Sequence, residues 1–385
     1  MSRVLVVGCW DEAAGLPRTE SLVGALVQLG HQVEECYVEA SRQARDEPIS
    51  WHLRFRIQRR MRARVRAAVR AALMRGPLDM VLVPYPGALT VSWVRSVFDG
   101  PIVLDLFRAS DAELLESKNR AGVADRVVVR IDRAACRAAD LVLVDTPCQA
   151  DHVARVAGLP RTRFGVVPIC DPDGPLASPV PRLAAGDPLR LLLFGKGLPA
   201  QGLATWVEAV RRSPSTRLQV VGGDAATQRV VKAALGTRVD VVGEFLPMNL
   251  LRERIVDAHV VGGVVDPSPA VARTVPYRVV HALAHGRPVL GALTDGLRGV
   301  LRPDVDCIPV PMADAGAMAL ALERLARDPS RLGALGEAAR ATFESSFASE
   351  LVVARCEELL VSRLGFRSVA GASTRRRARP LVSAS

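Results

Sequence analysis

Short apolar runs alternate with amphipathic stretches along the whole chain. In the first half the runs are Val4–Gly8, Val33–Tyr37, Met80–Val83, Ile102–Leu104, Leu141–Val144 and Val166–Pro168. Each is Val/Leu/Ile-rich and nearly unbroken, the pattern of parallel strands covered on both faces rather than of half-exposed ones. Helical spacing fills the intervals Glu20–Leu29, Val123–Ala138 and Gln149–Ala157. The segment 170–188, rich in Pro, Gly, Asp and Ser and without a period, reads as a linker. The pattern then restarts. Strands are predicted at Leu189–Phe194, Leu218–Val221, Val239–Val242, Val260–Val265, Pro288–Leu290 and Cys307–Val310. Helices are predicted near 200–212, 224–236, 246–257, 276–285, 314–327, 329–345 and 349–364. A strand–helix order repeated twice predicts an α/β chain with two doubly wound domains. The expected division is 1–170, a linker at 171–188, 189–348, a helix at 349–364 that crosses back to the first domain, and a disordered tail at 365–385.

Charge changes this picture only locally. The chain has 385 residues with 51 Lys+Arg and 40 Asp+Glu, a net charge of +11. Residues 42–77 hold eleven Arg against Asp46 and Glu47, and the tail 367–385 holds five Arg and no acid. The remainder is slightly acidic. An Arg bias with only Lys118, Lys196 and Lys232 also fits a GC-rich genome. Aromatics are 4% of the chain, which argues against stacking platforms for single-stranded nucleic acid. No apolar run approaches the ~20 residues of a membrane helix. The seven cysteines are scattered without a CxxC pair, so neither a disulfide framework nor a zinc site is expected, and a reducing, cytoplasmic location is.

Two stretches of the second half carry candidate chemistry. Leu192–Leu203, reading LLFGKGLPAQGL, runs from a strand into a helix. Gly195 and Gly197 admit close backbone approach, Lys196 adds a cation, and the helix start offers N–H groups to an anion. A tight βα turn with no ligand explains the same residues. In Arg273–Val289, Pro276 suits a first helical turn, and Arg278 and His281 share a helix face. Val279, Val280, Leu283 and Ala284 cover the buried side, and Gly286 ends the helix. His281 also reads as a hydrogen-bonded interior histidine. Asp171-x-Asp173 and Asp304-x-Asp306 have the spelling of a metal-binding DxD but fall in loops and are read as chance.

These stretches resemble the group 1 (family 4) glycosyltransferases of GT-B fold. That family shows G-R-L-x-x-x-K-G after a strand, where this chain has Gly195-Lys196-Gly197-Leu198-Pro199-Ala200-Gln201-Gly202. It also shows P-x-K-x-x-E-A-L-A-x-G-x-P-V, where this chain runs from Pro276 to Val289. The match covers most of 1–364 and is looser in the first domain. The resemblance implies two Rossmann-like domains facing across a cleft, the first on the acceptor side and the second holding the donor nucleotide. It implies a hexosyl- or related glycosyltransferase that takes sugar from a nucleotide-diphosphate donor as co-substrate, retaining and metal-independent, with no other cofactor. Lys196 and Arg278 then stand as catalytic cations that stabilise the leaving diphosphate. Gly195, Gly197, Gln201, Arg273 and His281 stand as donor-binding. Three of these depart from the pattern. Gln201 replaces a Lys, His281 replaces a Glu that holds the ribose, and Arg273 replaces a second Glu. The alternative reading is a non-catalytic GT-B paralogue acting as a partner or scaffold.

In the first domain the resemblance puts Arg18 in a turn that borders the acceptor. Arg108, Ser110 and Asp111 follow a strand end, where open α/β sheets place ligands. Residues 51–75 project as an amphipathic helix, with Ile57, Met61, Val65, Val69 and Leu73 on one face and Arg56, Arg59, Arg60, Arg66 and Arg70 on the other. It reads either as a crossover helix with a solvated basic face or as a dock for anionic lipid, peripheral on the inner membrane face. No reader motif accompanies the charge, so nucleic acid is not an expected partner.

Overall fold

The computed structural model describes residues 1–8, 17–38, 51–107, 123–171, 174, 178–195, 198, 202–242, 246–267 and 269–366; side chains of 51–56, 123–126 and 128 are outside the description. The chain divides into two compact units, Met1–Pro168 with Ser349–Ser385, and Ile169–Ala348.

The first unit runs β1 (Arg3–Gly8), α1 (Arg18–Gln28), β2 (Gln32–Tyr37), α2 (Trp51–Met74), β3 (Met80–Val83), α3 (Ala88–Arg95), β4 (Ile102–Asp105), α4 (Val123–Ala138), β5 (Leu141–Val144), α5 (Pro147–Ala157) and β6 (Phe164–Val166). All six strands are parallel, in the order β2-β1-β3-β4-β5-β6, with Val4 opposite both Val33 and Met80. Every residue of β3, β4 and β5 is buried, which accounts for their unbroken apolar runs. Local signals set the helix ends. Thr146 caps α5 by accepting from the Gln149 N–H at 3.1 Å, Pro147 opens the helix, and Gly158 closes it with φ +65°. The helix α3 was not predicted. Its eight residues bury Thr90, Val91, Trp93 and Val94, too short and too β-branched a stretch to show a helical period.

The second unit runs β7 (Leu189–Phe194), α6 (Leu203–Arg212), β8 (Thr216–Val221), α7 (Ala225–Leu235), β9 (Val239–Val242), α8 (Met248–Asp257), β10 (Val260–Gly262), α9 (Pro269–Ala272), α10 (Tyr277–Ala284), β11 (Val289–Gly291), β12 (Cys307–Pro309), α11 (Ala315–Arg327) and α12 (Ser330–Ser346). Its parallel sheet has the order β12-β11-β10-β7-β8-β9. Asp224 and Asp314 cap α7 and α11. Strand β10 ends at Gly262, three residues short of its predicted end, and its pairing with β7 covers only Val260 and Val261. The last helix, α13 (Ser349–Leu364), belongs to the first unit and packs against α1. There Leu22 and Leu26 of α1 and Cys356 and Leu359 of α13 line an apolar cavity together with Leu82 and Val103 of the sheet.

The segment expected to be a linker is anchored in the second unit. Ile169, Cys170 and Asp171 are buried. The Arg287 guanidinium, fully buried, donates to the carbonyls of Ser178, Pro179, Val256 and His285 at 2.6–3.1 Å. Of the tail predicted at 365–385, Gly365 and Phe366 are described, with the Phe366 ring centroid 6.4 Å from that of His31, and the rest, from 367 onward, lies outside the described residues.

Candidate functional site

Strands β7 and β10 are neighbours, yet the chain leaves them in opposite directions. From β7 it proceeds to β8 and β9, and from β10 to β11 and β12 on the other side. At such a switch point the loops after the two strands diverge and leave a crevice at their carboxyl ends. Glycines build the floor of this one. Gly195 follows β7 with φ +130°, and Gly222 follows β8 with φ +96°. A Cβ on Gly222 would lie 2.8 Å from the Gly195 carbonyl oxygen, and one on Gly262 would lie 2.2 Å from the Leu193 side chain. The backbones meet here because no side chain stands between them.

The helix α10 delivers a cation to this crevice. Pro276 precedes it in an extended conformation, and every residue from Tyr277 to Ala284 is buried. The sequence predicted one buried face. The helix is buried all round because α12 and strands β10 and β11 pack against it. Arg278 is 5% exposed. Its Nη1 donates to the Gly262 and Gly263 carbonyls at 3.3 Å each. Its Nη2 sits 3.3 Å from where a Gly195 Cβ would be, and its guanidinium lies 5.8 Å from the Phe194 ring centroid. One buried side chain therefore spans the ends of both central strands. Burial pulls its pKa down to about 10, so it remains a cation at neutral pH.

One turn further on, His281 is 2% exposed, with Nδ1 2.9 Å from Oδ2 of Asp171. Arg252, from α8, donates to the other oxygen of the same carboxylate at 3.1 Å. Burial pushes the Asp171 carboxyl up, but the hydrogen bond and charge of His281 and the charge of Arg252 outweigh it, and the group sits below the ordinary carboxylate range. Next on this face is His285, fully buried and pulled down by burial to about 4.

Of the residues singled out from sequence, the structure brings Gly195, Arg278 and His281 to the carboxyl ends of β7 and β10. Arg273 is half-buried in the turn after α9. Lys196, Gly197 and Gln201 lie outside the described residues, as do Arg108, Ser110 and Asp111. Arg18 is not an open cation at a turn. It is 4% exposed, and it donates from Nε to Asp105 Oδ1 at 2.8 Å and from Nη1 to the Val167 carbonyl at 2.9 Å. The Asp-x-Asp spellings are structural where described. Asp171 serves His281 and Arg252, while Asp306 accepts from the Arg302 backbone and side chain and from Thr342. Sequence reasoning missed Arg252 and Arg287, and it read Asp171 as chance. The one available signal was a carboxylate closing the apolar run Val166–Cys170.

Residues 188–328 match the family described as glycosyl transferases group 1. No curated protein sequence matches the chain. Among solved structures, a sucrose-phosphate synthase from Thermosynechococcus elongatus is similar over 95% of this chain and 100% of its own, with 19% identity and a TM-score of 0.74. The Anabaena protein HepE, in complex with UDP and glucose, is similar over 94% and 100%, with 15% identity and a TM-score of 0.68. The lipopolysaccharide outer core galactosyltransferase WaaB is similar over 94% and 99%, with 13% identity and a TM-score of 0.64. At these identities the likeness is one of fold, and the fold is GT-B.

Proposed function

We propose that the protein is a glycosyltransferase that takes a sugar from a nucleotide-diphosphate donor held at the switch point of its second unit. The observation that carries this reading is the buried Arg278 guanidinium, set between the glycine-built ends of β7 and β10. The match of 188–328 to group 1 glycosyltransferases, and the UDP and glucose bound in the HepE structure, support it.

The chemistry follows from charge. Breaking the bond between the anomeric carbon and the diphosphate leaves negative charge on the phosphate oxygens and positive charge on the sugar ring. A cation fixed in a water-poor site stabilises the departing diphosphate without reorganising during the reaction. Arg278 is such a cation, and Lys196 adds a second along the sequence. Transfer is proposed to be retaining, with these side chains rather than a metal ion supplying the positive charge. His281 is proposed to contact the nucleoside sugar and Arg273 the donor.

A lipid-surface location is proposed from α2. Val65, Val69 and Ala72 are fully buried, while Arg59, Arg60, Arg62 and Arg70 are exposed. Among the described residues no helix is long and apolar enough to cross a membrane. Attraction of ~1 kcal/mol per cation near an anionic surface would hold the protein there reversibly.

A panel of sugar nucleotides, each incubated with the protein and followed for release of nucleoside diphosphate, tests the central proposal. Slow hydrolysis of at least one donor is expected. Silence across the panel, with no thermal stabilisation by any member, refutes it.

A further inference from the structure

The contact between Asp171 and His281 has a directional consequence. An ionised carboxylate only accepts hydrogen bonds. The contacts to Asp171 from Arg252 at 3.1 Å and from His281 at 2.9 Å both favour the ionised form. The ring nitrogen of His281 that faces it must therefore carry the hydrogen. When the imidazole is neutral, that leaves Nε2 as a bare acceptor. Among the described residues this atom is buried and finds no hydrogen-bond partner. The ring is also held in place, 5.9 Å from Tyr277 and 6.4 Å from Phe194 between centroids. Phe194 is the last residue of β7, so the ring stands beside the strand end that turns at Gly195.

We propose that Asp171 is a positioning residue that locks His281 in the Nδ1–H tautomer, so that Nε2 offers a lone pair to a hydroxyl of the donor's nucleoside sugar. The ligand half of this inference rests on the function proposed above; the tautomer half rests on the geometry alone. Three elements assemble the device: the segment after Pro168 supplies the carboxylate, α8 supplies the Arg252 that shares it, and α10 supplies the imidazole. The Asp171 carboxylate fixes which nitrogen is offered, as carboxylates do for histidines in other sites. A glutamate would present two fixed acceptor oxygens, whereas this pair presents one directional acceptor. A nucleotide is thus recognised through a single hydroxyl rather than through a bidentate contact.

The test is nitrogen NMR on protein labelled at histidine, at a pH where the ring is neutral, with His281→Gln to assign the resonance. The wild type and Asp171→Asn are expected to show a protonated Nδ1 and a bare Nε2, because the Asn carbonyl still accepts. Asp171→Ala is expected to carry the hydrogen on Nε2 instead. UDP is expected to shift the Nε2 resonance of the wild type, and its affinity to fall by about tenfold in Asp171→Ala but little in Asp171→Asn. A wild type protonated at Nε2 overturns the inference, even if Asp171→Ala fails to fold. So does an Asp171→Ala protein that keeps Nδ1–H, or one that binds UDP as the wild type does. A wild type with the expected tautomer but no affinity for UDP refutes the donor reading and the ligand half, and leaves the positioning of His281 by Asp171 standing.

Discussion

Replacing Asp105 with Ala should unfold the first unit far more easily than a surface substitution would. Asp105 is fully buried at the end of β4, and Arg18 is 4% exposed beside it. Removing the carboxylate leaves a buried guanidinium without its ion-pair partner, the Val167 carbonyl at 2.9 Å and the Phe107 ring at 5.6 Å being among the contacts it keeps. Breaking a buried pair from one side costs about 3–5 kcal/mol, mostly from the charge left behind. Burial pushes the Asp105 carboxyl up despite Arg18, so part of the cost of ionising it is already present in the wild type. The lower end, about 3 kcal/mol, is therefore expected. For a unit of this size each kcal/mol lowers Tm by roughly 2–4 °C, which gives a drop of about 6–12 °C. Because the two units are distinct, the assay is differential scanning calorimetry with each transition fitted separately. Arg18→Met combined with Asp105→Leu removes both charges at similar volume and should recover most of the loss. A single variant within about 1 kcal/mol of wild type, or a double variant no better than the single, refutes the reasoning.

Three further outcomes are expected. Gly222→Ala meets the Gly195 carbonyl at 2.8 Å from a backbone at φ +96°, so it should cost about 1–3 kcal/mol and weaken UDP binding through the displaced Gly195 turn, measured by urea unfolding and calorimetric titration. Arg287→Met should cost about 2–4 kcal/mol in the second unit by orphaning the carbonyls of Ser178, Pro179, Val256 and His285, while Arg287→Lys recovers part of it. His285 has a folded pKa of about 4, below its ordinary 6.5, so the unfolded chain takes up a proton first as pH falls. Its contribution is full above 6.5 and is lost between 6.5 and 4, at up to about 1.4 kcal/mol per pH unit. His285→Leu should flatten the second unit's stability over that window.

The central strands β3, β4, β5, β10 and β11 were legible in the sequence because a sheet covered on both faces requires an unbroken apolar run, whereas β2 and β9 are only partly buried. The least legible elements are those made by tertiary context. The helix α3 shows no clear period because it is only eight residues long. The helix α10 carries a polar residue at each of two turns, Arg278 and His281, on one face, and the sequence left His281 open between a ligand-binding and an interior role. Both side chains are internal, one on glycine carbonyls and one on Asp171. The sheet order, and with it the switch point between β7 and β10, is a property of strand pairing that no local pattern encodes. The same holds for partners distant in sequence, such as Arg18 with Asp105 and His281 with Asp171, which lie 87 and 110 residues apart. The net charge of +11 was visible at once but describes no part of the site. Its described share lies on the exposed face of α2.

The central claim is that a buried cation at the switch point binds the donor diphosphate. Calorimetric titration of UDP into the wild type and into Arg278→Met tests it most directly. The account predicts saturable binding by the wild type and a loss of about 10- to 100-fold in the variant, the magnitude of one charge-assisted contact worth ~1.5–3 kcal/mol. A folded Arg278→Met protein that binds UDP as tightly as the wild type would contradict it.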